Sequence, residues 1–206
     1  MNRYLLTGLA ILLGSSQAQA NVVYNYVGNQ FTSIVDNVHP SGTYDTSMRV
    51  TGFLELANPL LAGMPLTDIG SPGLVLNFSF SDGRNSIAAN DPTLSSAFHI
   101  GTNAAGVIDR WEWEVVHNDP IDGSGTDLRF IRSVHHDGVP DQDLGFIRGC
   151  IDSGTCFNLG QVDTGLIVNA PGSWSMTPAP VPLPAAFWLL GSAVSALRLL
   201  NRRIEV

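Results

Sequence analysis

From residue 21 to residue 177 no stretch of helical length repeats its apolar positions at a period near 3.6, whereas segment after segment alternates apolar and polar at a period of two. In residues 47–56, Met48, Val50, Gly52, Leu54 and Leu56 fall on one face and Arg49, Thr51, Phe53 and Glu55 on the other. In residues 106–117, Val107, Trp111, Trp113 and Val115 oppose Ile108, Arg110, Glu112 and Glu114. Further strands are expected over 21–27, 30–35, 74–80, 84–89, 97–100, 126–134, 146–147, 166–168 and 172–176. Gly28-Asn29 and Asp82-Gly83 read as turns, 118–125 as a loop, and 58–73 as a long connection lying across a sheet. Short strands punctuated by Gly, Asn-Asp and Pro predict an all-β fold, an antiparallel β-sandwich with a β-barrel as the alternative.

Both ends of the chain have a different character. Pro178, Pro180, Pro182 and Pro184 alternate, which denies that stretch a regular ladder and keeps it extended. Residues 185–197 carry no charge, Leu199 and Leu200 prolong the apolar run past Arg198, and Arg202 and Arg203 close it. A helix over about 185–200 would span roughly 24 Å against a hydrocarbon core of about 30 Å. Such a transmembrane helix becomes workable if Arg198 snorkels to one interface and Phe187 and Trp188 sit at the other; a buried core helix is the alternative for so short a run. Arg198, Arg202 and Arg203 form a basic membrane stop that places the C-terminal end in the cytoplasm. At the N-terminus, Arg3, an apolar stretch over 4–14 and Ala18-Gln19-Ala20 predict a signal peptide over 1–20, cleaved before Asn21. The chain thus divides into 1–20, an extracytoplasmic β-domain over 21–177, and 178–206.

Val181-Pro182-Leu183-Pro184-Ala185, the aromatic pair Phe187-Trp188, the Leu-Leu-Gly-Ser of 189–192 and the terminal Arg cluster resemble a VPLPA-CTERM signal, a variant of the PEP-CTERM sorting domain. The resemblance is confined to about the last 26 of 206 residues and does not reach the central segment. It implies a transient membrane anchor, cut near the Pro motif by an exosortase-type processing enzyme, and release to the cell surface or an exopolysaccharide matrix. Arg198 inside the apolar run and the ending Ile204-Glu205-Val206 depart from that pattern.

Charge narrows the partners of the central segment. All ten basic residues are Arg, and four of them (Arg3, Arg198, Arg202, Arg203) lie at the ends, while of the 18 acids only Glu205 does, leaving the centre at about −11. Nucleic acid and anionic lipid, which are bound through cations, are disfavoured. Cys150 and Cys156 fit an oxidising compartment, and a disulfide between them would stabilise by roughly 2–2.5 kcal/mol. Their spacing suits neither zinc nor redox exchange.

Catalytic signals are sparse. Asp137, Asp141 and Asp143, in the segment that begins His135-His136, offer oxygens to Ca2+ but do not follow the EF-hand pattern, and adjacent histidines on a strand point to opposite faces; a solvated turn is the competing reading, as it is for the acidic 118–127. Glu112 and Glu114 lie about 7 Å apart on one strand face, a separation a glycosidase pair could use. Trp111, Trp113 and Trp174 could stack on sugars, but Trp111 and Trp113 alternate in phase with the core. No nucleophile elbow, zincin helix motif or phosphate loop is present. The expectation is a secreted, non-enzymatic surface or matrix protein with a structural or adhesive role and no required cofactor. A matrix carbohydrate-binding module with exopolysaccharide as its partner, and a secreted hydrolase, are the alternatives.

Overall fold

Residues facing alternately in and out build two antiparallel sheets. The computed structural model describes residues 21–37, 44–71, 73–121, 125–150 and 159–178, and describes 119–121, 125–127, 149–150, 159–161 and 178 by their backbone alone. The strands are β1 (Val22–Gln30), β2 (Ser33–Asp36), β3 (Arg49–Leu56), β4 (Thr67–Asp68), β5 (Val75–Ser81), β6 (Ser86–Ala88), β7 (Leu94–Thr102), β8 (Ile108–Ile121), β9 (Gly125–His136), β10 (Val139–Cys150), β11 (Leu159–Val168) and β12 (Ser173–Pro178). A five-stranded sheet runs β12-β1-β3-β5-β6 and a seven-stranded sheet runs β2-β11-β10-β9-β8-β7-β4. Each sheet ends on strands paired along one side only, so neither closes into a barrel, and no helix occurs among the described residues. The arrangement fits a β-sandwich.

The core lies between the sheets. Tyr24 and Tyr26 of β1, Leu54 of β3 and Phe80 of β5 meet Phe98 of β7, Trp111 and Trp113 of β8 and Ile131 of β9, all 3 % exposed or less. Phe80 stacks on Trp113 at 3.9 Å and 28°, and Tyr26 stands edge-on to Trp111 and Trp113 at 5.8 and 5.7 Å. Burying each such ring stabilises by about 1.5–3 kcal/mol, with a further 0.5–1.5 kcal/mol for a well-oriented pair. Trp111 and Trp113 are therefore interior, as their phase predicts.

Several turns fall elsewhere than the sequence suggests. Gly28-Asn29 is not a turn: β1 continues through it as a bulge, its register against β3 shifting between Val27 and Gln30. The chain changes sheets at the next two residues, where Phe31 N–H donates to Met48 O and Thr32 N–H to Leu166 O, both at 2.9 Å. The expected loop over 118–125 is mostly ladder, paired as far as Ile121 with Gly125 and including Pro120. Pro120 is tolerated because β7 stops pairing with β8 at His117, leaving that side of β8 open and needing no donor. Likewise β10 runs through Pro140, which sits in a register shift between Val139 and Gln142. The 58–73 connection hugs the rim of the seven-stranded sheet, pairing Thr67-Asp68 with β7 and burying Ile69. The Asp82-Gly83 hairpin forms, with β5 and β6 meeting at Ser81 and Ser86 around a four-residue turn.

The two faces of the five-stranded sheet make separable demands. Phe80→Ala, which empties the space against Trp113, is expected to destabilise the fold by about 3–5 kcal/mol, and Phe53→Ala on the outward face of β3 by about 1 kcal/mol or less. Urea unfolding of both variants checks the assignment of faces.

Candidate functional site

The β9–β10 hairpin carries the residues the sequence offers as calcium ligands, and the fold sends them in different directions. Asp137-Gly138 forms the turn, with Gly138 at φ 87, a conformation that favours glycine. His135 and His136, adjacent on β9, point to opposite faces. His135 Nδ1 lies 2.6 Å from Asp141 Oδ1 and its ring packs 4.6 Å from Trp111. His136 Nε2 is 3.3 Å from Glu112 Oε2 on the outer face. Asp143 turns inward and is 1 % exposed. Among the described residues no group of three or more His, Cys, Asp or Glu is placed to hold a metal ion.

Asp143 instead belongs to a hydrogen-bonded cluster that ties the sheets together. Tyr26 Oη of β1 donates to Asp143 Oδ1 at 2.6 Å across the interior. Ser133 Oγ of β9 donates to the same oxygen at 2.6 Å and lies 2.9 Å from Tyr26 Oη. Trp111 Nε1 donates to Ser133 Oγ at 2.7 Å. Asp143 Oδ2 has no hydrogen-bond partner and fills the space above Gly28, where a Cβ would lie 2.1 Å from it. Burial pushes the Asp143 carboxyl up to about 6 and nearby Asp141 adds to this, while the bonds from Ser133 and Tyr26 oppose it. Burial, reinforced by Asp143, drives Tyr26 far above the range of a free phenol.

A second cluster is better satisfied. Asp82 Oδ1 accepts the N–H groups of Arg84 and Asn85 at 2.8 and 2.6 Å, and Oδ2 accepts Tyr44 Oη at 2.5 Å and Asn85 Nδ2 at 3.2 Å. It packs over Gly145 of β10, where a Cβ would lie 2.5 Å from Oδ2. Arg84 then crosses to the buried Asp163 of β11 at 2.5 Å, with its guanidinium 5.2 Å from the Tyr44 ring centre. Burial and the Asp82 charge raise Tyr44 strongly.

On the outer face of the seven-stranded sheet Glu112 and Glu114 border a shallow depression of about 330 Å³ with His99 and Arg132. Partial burial disfavours the Glu112 charge, but hydrogen bonds from Arg132 (2.7 Å) and His136 outweigh this and hold its carboxyl below the usual range. That is the wrong direction for a general acid. Trp174 of β12 packs against the core beside Tyr26 at 5.0 Å. The interior cluster has a sequence signal that no motif carries: Ser133 and Asp143 occupy strand positions in phase with Ile131 and Ile147, where apolar residues belong.

Asn21, the expected first residue after signal cleavage, precedes β1 and donates to Glu55 Oε1 at 2.7 Å. Cys150 ends β10, and its pairing with Cys156 lies outside the described side chains. Ala18, Ala20, the motif over 181–185, the apolar run over 185–200, and Arg198, Arg202 and Arg203 also lie outside the described residues. Among the described residues no helix is long and apolar enough to cross a membrane.

The Asp143 cluster makes stability depend on pH. Its carboxyl titrates at 3.8 in the unfolded chain and about 6 in the fold, so the fold holds the proton more tightly. The resulting stabilisation is fully present below the unfolded value and is lost as pH rises through the folded one. Lowering the pH from 7 to 4.5 should add about 2 kcal/mol from this group. Asp143→Asn keeps the acceptor and removes the titration. Urea unfolding at both pH values should therefore show the variant gaining relative to the wild type at pH 7, with the difference shrinking at pH 4.5. Carboxylates common to both proteins cancel in that comparison.

No protein-family model, no curated protein and no solved structure matches this chain.

Proposed function

We propose that residues 21–178 form the folded body of an exported, non-enzymatic structural protein of the cell surface or exopolysaccharide matrix. Residues 1–20 direct export. Residues 178–206 anchor the protein with a cytoplasmic C-terminus until an exosortase-type enzyme cuts near residues 181–185. The observation that carries this reading is that residues 22–178 assemble both described sheets. β12, the last described strand, runs from Ser173 to Pro178, the first proline of the spacer, and pairs with β1, the first strand. A sorting signal needs to be separable from its cargo, and the two described sheets are assembled from residues 22–178. Two features of the domain favour the non-enzymatic part. Among the described carboxyls, the one raised toward neutrality, Asp143, is sealed between the sheets and already bonded to Tyr26 and Ser133. Glu112, which faces solvent, is held by Arg132.

Intact-mass measurement on membrane and medium fractions tests the proposal, with and without residues 181–185 scrambled. The expected result is a released form beginning at Asn21 and ending near residues 178–185, absent after scrambling. Finding residues 21–206 intact and confined to membranes would establish a permanent anchor instead.

A further inference from the structure

The charges of this domain are segregated between its sheets. Arg49 and Glu55, near opposite ends of β3, are the only Asp, Glu, Lys or Arg residues in the five strands β12, β1, β3, β5 and β6. The seven-stranded sheet carries Glu112, Glu114, Arg132 and Arg148 among others. The strand registers then fix what the outer face of the five-stranded sheet presents. Its middle row is Ser175, Asn25, Phe53, Ser79 and Ala88. The row on one side is Ser173, Val27, Thr51, Ser81 and Ser86, and on the other Thr177, Val23, Glu55 and Asn77. Glu55 is itself engaged by Asn21.

Phe53 is the distinctive member. It lies neither in the core nor among the apolar residues packed against it, and makes no ring contact among the described residues. The ring is half-buried, and its direct cross-strand neighbours, Asn25 and Ser79, are short and polar. The aromatic pair on the opposite outer face differs, since Phe130 and Phe146 stack on each other at 4.4 Å and 23° and so cover each other's faces. Asn25 donates to Thr177 Oγ1 at 3.2 Å, which leaves its amide oxygen as an acceptor, and the Ser79 and Ser86 hydroxyls lie 3.5 Å apart.

We propose that the outer face of the five-stranded sheet is a docking surface for a neutral polysaccharide, with Phe53 stacking on a sugar ring and the flanking Ser, Thr and Asn side chains hydrogen-bonding its hydroxyls. Uncharged hydroxyls and amides exchange hydrogen bonds with a polyhydroxylated chain without desolvating an ion, which would be costly. A half-buried ring lying on the outer face supplies the apolar contact for the C–H face of a pyranose. The protein's net charge of −8 repels an anionic polymer and is indifferent to a neutral one. This inference does not depend on how the chain ends are processed.

Affinity electrophoresis of the purified full-length chain tests it, in gels containing dextran, hydroxyethylcellulose or polygalacturonate. Retardation is expected in the two neutral glucans and not in polygalacturonate. Phe53→Ala should weaken it about tenfold, and Ser79→Glu, which brings a charge beside Phe53, should weaken it as well. Both variants should keep a cooperative urea transition. No retardation in either neutral glucan, retardation by polygalacturonate alone, or retardation that both variants leave unchanged would overturn the proposal. So would self-association in sedimentation that Phe53→Ala abolishes in a protein that no glucan retards, since the face would then join two copies of the chain. Either result leaves the intact-mass test of sorting untouched.

Discussion

Two carboxylates buried between the sheets set the terms on which those sheets can meet. A buried carboxylate loses several kcal/mol of hydration, and only well-placed donors offset the loss. Asp82 is met by two backbone N–H groups, a tyrosine hydroxyl and an amide; Asp143 is met by two hydroxyls. Each also requires a glycine on the facing sheet, Gly145 under Asp82 and Gly28 under Asp143, because a Cβ there would fall within 2.5 Å of a carboxylate oxygen. Sliding one sheet over the other by a residue would place side chains against these oxygens and strip them of their donors. Apolar packing drives the sheets together without regard to direction, whereas the carboxylate–glycine contacts select one alignment.

Unequal satisfaction of the two clusters gives the interior its pH response. Asp143 leaves Oδ2 unpartnered, so its charged form is poorly supported, and protonation relieves the deficit. The Arg84–Asp163 pair adds a charged link between the β5–β6 turn and β11. Charged groups of this domain thus serve its interior and the outer face of one sheet, which leaves the outer face of the other almost free of them.

The all-β class and the interior placement of Trp111 and Trp113 could be read from the sequence because each rests on a period of two within one strand; that period misplaces Val107, which is 52 % exposed, and Ile108, which is buried, because the β7–β8 register shifts between Gly101 and Thr102. Strand ends could not. Asn118 to Gly125 looks like a loop by composition, yet pairing carries β8 and β9 through Pro120, since what permits a proline there is the early end of β7, a fact of the neighbouring strand. The Asp137, Asp141 and Asp143 spacing suggested ligands to one ion, but strand geometry turns Asp143 inward while Asp141 takes His135. Tyr26 and Ser133, more than a hundred residues apart, become partners only through the packing of β1 against β9. Asp143 and Ser133 at core-phase positions were the legible trace of that arrangement, and a trace of this kind identifies a buried polar site without naming its partners.

β12 joins these themes, because it is both an edge strand and the last described element before the proline spacer. It pairs along β1 from Val22 with Pro178 to Val27 with Ser173, so the two ends of the body lie side by side. An edge strand held by backbone bonds along one side would peel readily under load from a tethered tail. Trp174 resists this: its ring lies 5.0 Å from Tyr26 and 6.3 Å from Trp111, both members of the Asp143 cluster. Withdrawing β12 would uncover the tyrosine whose hydroxyl supports the buried carboxylate. Tension from the proposed membrane anchor would therefore be opposed by the aromatic and polar interior that aligns the sheets, and the strand nearest the proposed cleavage point is secured by the core as well as by its ladder.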